Sequence, residues 1–181
     1  MLIKKTSIDK TNYDCLVIGA RNINTIVIPS FIENICPHAF EACKQFQKVV
    51  FPSDSRLKII GDESFGGSSI AQIKIPSQVV GILKRTFFYC DKLKRVEFEI
   101  DSKLQIIDFE AFSSSSITSI VIPSQVTQIG RGAFEYCNKL QIIEFTDISK
   151  MDFIPQNWLY GTKNVILMVP SHFKHEQNSY Q

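Results

Sequence analysis

The sequence has no excess of either charge: 20 Lys and Arg stand against 18 Asp and Glu, a formal net charge of +2. Without a basic stripe there is no electrostatic footprint for a phosphate backbone, which argues against nucleic acid as a partner. Long apolar runs are also missing. No stretch approaches the ~20 residues of a membrane-spanning helix, so no membrane span is expected. The apolar run from Cys15 to Ala20 is shorter than the core of a secretion signal, so no conventional signal peptide is read. Five cysteines are present, but none forms a Cys-x-x-Cys pair and no histidine sits at ligand spacing. No metal and no cofactor is therefore expected. The chain has 181 residues, 44% of them hydrophobic and 21% charged, which is enough for one well-cored domain and unlike a disordered chain.

What the sequence does have is repetition. Pro29, Pro76, Pro123 and Pro170 each precede a serine and stand 47 positions apart. Cys43, Cys90 and Cys137 keep that interval, as do Phe40, Phe87 and Phe134, and Phe51, Phe98 and Phe145. Each 47 divides into two similar halves, because Phe65 and Phe112 fill the slot of Phe40 and Phe87, so the unit is 22 to 25 residues. An apolar-x-x-apolar-x-apolar hexad begins at Ile23, Phe46, Ile70, Leu93, Ile117, Leu140 and Asn164, and only the last opens on a polar residue. The last three residues of each hexad alternate in the period of a strand with one buried face, as in Val96-Glu97-Phe98. One such strand cannot bury its face alone, so successive coils must stack into a parallel sheet. In the return path, proline ends the strand, Val126 and Ile129 point inward, Gly130 permits a bend, and Ala133-Phe134 suits a short helical turn.

The expected fold is thus an α/β solenoid, with a parallel sheet on the concave face and turns and short helices on the convex face. Residues 1–181 form one domain: 1–22 are a degenerate first coil or N-terminal cap, 23–171 the repeats, and 172–181 a polar C-terminal tail. Ile18-Gly19 stands where Phe65-Gly66 and Phe112-Ser113 stand later. Trp158-Leu159 replaces Ser64-Phe65, and Pro155 replaces Asp108, which implies a remodelled convex side in the last coil.

The pattern apolar-x-x-Ile-x-Ile-Pro-Ser, followed by Val-x-x-Ile-Gly-x-x-Ala-Phe-x-x-Cys-x-x-Leu, fits best from Ile117 to Phe145. It resembles the leucine-rich repeat of BspA-like proteins, over roughly Ile23 to Ser171. The resemblance implies a surface antigen or adhesin of a host-associated microbe, binding host or extracellular-matrix proteins, and a place at the cell surface. The alternative is a cytoplasmic leucine-rich-repeat scaffold, which fits the unread signal and cysteines that look reduced. End-to-end self-association is a further expectation for a stack with open ends.

Residues with chemical potential mostly dissolve into the repeat. Cys43, Cys90 and Cys137 lie two coils apart, about 10 Å, beyond the roughly 7 Å between Cα atoms that a disulfide tolerates, and read as buried reduced thiols. Cys36, in the slot of Leu83 and Gly130, reads as packing too, leaving Cys15 as the candidate reactive thiol. His38 reads as a surface histidine, while His172 and His175 lie in the polar tail. Glu97 and Glu144 are also about 10 Å apart, slightly beyond an inverting glycosidase pair, and an ion pair from Lys74 across to Glu97 is the simpler reading. Gly66-Gly67-Ser68-Ser69 and Ser113 to Ser116 lack the Lys-Ser/Thr of a phosphate loop and read as turns. No nucleophile, base and oxyanion site assemble, so no enzyme is expected.

Recognition is then expected on the outward strand residues, which stack into two columns across the concave sheet. One column runs Thr25, Lys48, Gln72, Arg95, Ser119, Ile142, Ile166, and the other Val27, Val50, Lys74, Glu97, Val121, Glu144, Met168. The expected partner-binding residues are Lys48, Gln72, Lys74, Arg95, Glu97, Ser119, Val121, Ile142, Glu144, Ile166 and Met168. Their centre is polar, and apolar residues gather toward the C-terminal end.

Overall fold

The structure, a computed structural model, describes residues 2–4, 15–18, 24–44 and 47–171, the first two segments through their backbones alone. Every strand predicted from the hexads is present. β3 (Thr25–Val27), β5 (Lys48–Val50), β7 (Gln72–Ile75), β9 (Arg95–Phe98), β11 (Ser119–Ile122), β13 (Ile142–Phe145) and β14 (Ile166–Met168) form one parallel seven-stranded sheet in chain order. Their alternation does what the pattern requires: Ile26, Val49, Ile73, Val96, Ile120 and Ile143 point into the core and are buried. The corner residues Ile70, Leu93, Ile117 and Leu140 are buried as well, whereas Asn164 is exposed with φ 58°. Ile23 and Phe46 lie outside the described residues.

A second sheet lies behind the first. It consists of β1 (Leu2–Lys4), β2 (Cys15–Ile18), β4 (Asn34–Ile35), β6 (Ile59–Ile60), β8 (Gly81–Ile82), β10 (Ile106–Ile107) and β12 (Gln128–Ile129). All its pairs are parallel except β1 with β2. The inward isoleucine of each return path, Ile35, Ile60, Ile82, Ile107 and Ile129, ends one of these two-residue strands and is fully buried.

The convex side corrects the expectation of short helices. Among the described residues the segment after each two-residue strand is a run of turns, not an α-helix. Residues four apart take positive φ in five successive coils: His38 and Ala42, Glu63 and Gly67, Arg85 and Tyr89, Glu110 and Ser114, Gly132 and Tyr136. A left-handed residue cannot sit inside a right-handed helix, and for non-glycine residues it costs about 1–2 kcal/mol. That cost is offset by hydrogen bonds between coils. The amides of Arg85, Phe87 and Tyr89 donate to Phe109, Ala111 and Ser113 of the next coil, at 2.9, 2.8 and 3.0 Å. Those of Thr86, Phe88 and Cys90 donate back to Leu83, Arg85 and Phe87 of their own coil. Alternate amides thus serve stacking and turning, and few backbone donors are left over.

The core carries a column of aromatic rings. Phe40, Phe65, Phe87, Phe112 and Phe134 stack with centroids 5.0, 5.4, 5.2 and 5.4 Å apart, and all five are fully buried. Trp158 closes the column edge-on to Phe134 at 5.7 Å, the remodelled last coil that the sequence implies. Beside the rings runs a column of small polar residues. The Cys90 and Cys137 thiols donate to the carbonyls of Phe65 (3.1 Å) and Phe112 (3.0 Å), and the Thr162 hydroxyl to that of Phe134 (2.6 Å). Gly130 works by close approach rather than by bending. A Cβ there would lie 2.5 Å from the Phe109 nitrogen, whereas the left-handed turn position belongs to Gly132, at φ 64°.

Ser64 breaks the pattern of satisfied polar groups, because its Oγ is buried without a hydrogen-bond partner. The same slot holds Ala39, Ala111 and Ala133, and Thr86, whose hydroxyl donates to Leu83 at 2.8 Å. Ser64→Ala should therefore raise stability by about 1 kcal/mol, since it removes an unpaired buried hydroxyl at little loss of packing. A urea midpoint that falls instead would contradict the structure at this slot.

Candidate functional site

Stacking register decides which outward side chains meet, and the register is explicit. Lys48 pairs with Gln72, Gln72 with Arg95, Arg95 with Ser119, Ser119 with Ile142 and Ile142 with Ile166. In the second column Lys74 pairs with Glu97, Val121 with Glu144, and Glu144 with Met168. All eleven residues expected to bind a partner therefore lie on one face of one sheet. Lys48, Gln72, Lys74, Arg95, Ser119, Val121, Glu144, Ile166 and Met168 are exposed, while Glu97 and Ile142 are half-buried.

The face is sculpted as well as striped. Lys48, Gln72, Lys74, Arg95 and Glu97 line a groove of about 290 Å³ with the inward Val49 and Ile73 at its floor. Arg95, Glu97, Ser119 and Val121 also form one wall of a larger cleft of about 1050 Å³, bounded by Ile100 to Lys103 and by Pro123 to Gln125. Sequence reading missed these loop walls. The segment Asp101-Ser102-Lys103-Leu104 echoes Asp54-Ser55-Arg56-Leu57, so the longer coils could have been recognised as the source of an overhanging loop. Ser55 and Ser102 anchor the two loops, their buried hydroxyls each accepting from the amide two residues on at 3.4 Å. Ile100 at the rim is 88% exposed.

The expected ion pair between Lys74 and Glu97 needs correcting. Glu97 pairs with Arg95 of its own strand, not with Lys74. Lys74 instead lies 3.9 Å from Glu99. Residues two apart on a strand share a face, so the Arg95 guanidinium reaches Glu97 without crossing to a neighbouring strand. Arg95 is exposed and the Glu97 side chain partly so, and ion pairs at the surface contribute little to stability.

The cysteines divide. Cys43, Cys90 and Cys137 are buried thiols, as expected. Burial pushes Cys90 up from 9.0 to about 12 and Cys137 to about 11, which makes them poor nucleophiles. Cys36, expected to be simple packing, is disulfide-bonded. The repeat placed it among apolar and glycine residues and so gave no signal of pairing. The side chain of Cys15, and the tail with His172 and His175, lie outside the described residues.

At the C-terminal end the apolar cluster is open. Ile166, Leu167, Met168 and Val169 are all exposed, including Leu167, which occupies the inward slot that Ile143 fills in the preceding coil. Among the described residues no helix is long and apolar enough to cross a membrane.

Comparison with known proteins gives a consistent picture. The model of the BspA type leucine-rich-repeat region matches this chain in six copies, over residues 16–141 and 105–179. Among curated proteins nothing matches. The chain is similar to the solved structure of the pneumococcal vaccine antigen PcpA, at 29% identity and a TM-score of 0.66, over 67% of this chain and 30% of that one. It thus spans less than a third of PcpA. It also resembles a leucine-rich-repeat protein of T. pallidum, TpLRR, at 22% identity and a TM-score of 0.73, over 88% of this chain and 76% of that one. The TpLRR likeness is one of fold.

Proposed function

Given that the chain belongs to the family of BspA-type leucine-rich-repeat proteins, we propose that it is a non-catalytic protein-binding module of the surface-antigen and adhesin kind, acting through the outward face of its longer-stranded sheet. The observation that carries this reading is the pair of in-register columns, polar at Gln72, Lys74, Arg95 and Glu97 and apolar at Val121, Ile142, Ile166 and Met168. A grooved face with a charged centre and an apolar flank suits a protein partner: apolar burial supplies affinity and the charges supply register. The likeness to a vaccine antigen supports the cell surface as its place. So does the disulfide at Cys36, since such bonds persist in oxidising compartments.

The test uses an immobilised extracellular-matrix preparation and compares the chain with its Arg95→Ala/Glu97→Ala variant. Because the Arg95–Glu97 pair lies at the surface, folding should be unchanged by circular dichroism and melting temperature. Affinity should fall at least about 30-fold if these central charges are hot spots, worth roughly 2 kcal/mol or more. Equal binding by both proteins would remove the assignment of the site. No binding by either, with no labelling of the protein on intact cells, would instead favour an intracellular scaffold using the same face.

A further inference from the structure

On the convex side, far along the coil from the proposed binding face, one imidazole meets two carboxylates. His38 Nδ1 lies 3.0 Å from Glu41 Oε2 and 4.0 Å from Glu63 Oε2, and the three ligand atoms all fall within 4.8 Å of one another. Glu41 comes from the same turn as His38, and Glu63 from the next coil. We propose that His38, Glu41 and Glu63 form a zinc-binding site that ties the first of these convex turns to its neighbour.

Three observations support it. Neutral imidazole carries a single proton, so Nδ1 can satisfy one of the two carboxylates but not both. A divalent cation would satisfy both, and would also relieve the repulsion between them. The distances fit as well. Bonds of 2.0–2.2 Å in tetrahedral geometry place ligand atoms about 3.3 Å apart, a separation lying between the two measured here and within reach of exposed side chains. The trio is also peculiar to this coil pair rather than imposed by the repeat. The slot of His38 holds Glu63, Arg85, Glu110 and Gly132 in later coils, and that of Glu41 holds Gly66, Phe88, Ser113 and Glu135. His38 and Glu63 both adopt left-handed backbone conformations, at φ 61° and 51°, which fixes the stems of their side chains on adjacent turns. Arg85, the cation that could compete for Glu63, is engaged with Glu110 at 2.6 Å.

One nitrogen and two carboxylate ligands suit zinc better than calcium or magnesium, which favour oxygen-only shells. Three protein ligands leave a fourth position for water. The site lies in the same turn as the disulfide-bonded Cys36, in a coil whose β4 pairs with β2 on one side and with β6 on the other. A metal there would add a side-chain link between two turns already joined by the backbone bond from the His38 amide to Asp62.

Calorimetric titration of the metal-stripped full chain with Zn²⁺ tests the proposal. One saturable equivalent is expected, with a rise in melting temperature of roughly 5–10 °C at a hundredfold excess over Kd and no comparable response to Mg²⁺. His38→Ala and Glu63→Gln should each abolish that equivalent while leaving the circular dichroism spectrum unchanged. His172→Ala/His175→Ala should retain it. Absence of binding, binding that survives His38→Ala and Glu63→Gln, or binding lost in the tail variant would each overturn the site.

Discussion

Phe87→Ala is expected to destabilise the chain by about 3–5 kcal/mol, the cost of an emptied aromatic position in a core that cannot collapse around it. Phe87 is fully buried and stacks on Phe65 at 5.4 Å and on Phe112 at 5.2 Å, with both neighbouring planes within 11° of its own. Its backbone is pinned on both sides, since its amide donates to Ala111 and its carbonyl receives Cys90. The coils therefore cannot close the gap without breaking the ladder. In a solenoid each coil touches only its neighbours, so stability is a sum of coil and interface terms. A hole at the centre of the column weakens two interfaces at once and should also loosen the coupling between the halves of the stack. Urea unfolding should show a lowered midpoint together with a shallower transition. Phe87→Leu, which keeps most of the volume, should cost less than about 1.5 kcal/mol. If the alanine variant lost no more than the leucine variant, the rings would not be the spine of this fold.

The features that were legible in the sequence are those the repeat enforces. A fixed 47-residue double period sets the stacking register, so the columns through Gln72, Arg95 and Ser119 and through Val121, Glu144 and Met168 could be written down before any coordinates. The inward strand residues were equally plain, because three alternating positions suffice to mark a strand when they recur at the repeat's own spacing. The second sheet was not legible. Its strands are two residues long, too short for any periodicity, and its isoleucines look the same whether they end a strand or begin a turn. The convex turns were misread for a related reason. Left-handed positions usually announce themselves with glycine or asparagine, whereas here His38, Arg85, Tyr89 and Tyr136 occupy them, held by bonds to the next coil that no local pattern displays. The His38 cluster needed the same long view. Glu63 stands 25 positions away, one long coil, and only stacking brings it beside the histidine.

Stability should fall steeply in alkali, and the column of small polar residues beside the rings explains why. Burial raises Cys90 from 9.0 to about 12 and Cys137 from 9.0 to about 11, because a thiolate would have to sit among the stacked rings without water. The sign follows from linkage. Below pH 9 both thiols are protonated in the folded and the unfolded chain, and their contribution to stability is fully present. Above pH 9 the unfolded chain releases protons that the folded chain holds, so folding loses about 1.4 kcal/mol per pH unit for each thiol. The loss continues until the folded values are passed, near pH 12 for Cys90 and near pH 11 for Cys137. Between pH 8 and pH 10 the two together should remove about 3 kcal/mol. The repeat contains its own control. Ser68 and Ser115 fill the same slot in the alternating coils and lie 3.6 Å from the Cys90 and Cys137 sulfurs. A serine hydroxyl is therefore accepted at this position, and it does not ionise in this range. Cys90→Ser/Cys137→Ser should fold as before, flatten the stability profile above pH 9, and leave that below pH 8 nearly parallel to the parent. Equal alkaline losses in the two proteins would show that the thiols remain protonated in neither state or open to water in both, and that the column is not as dry as its burial implies.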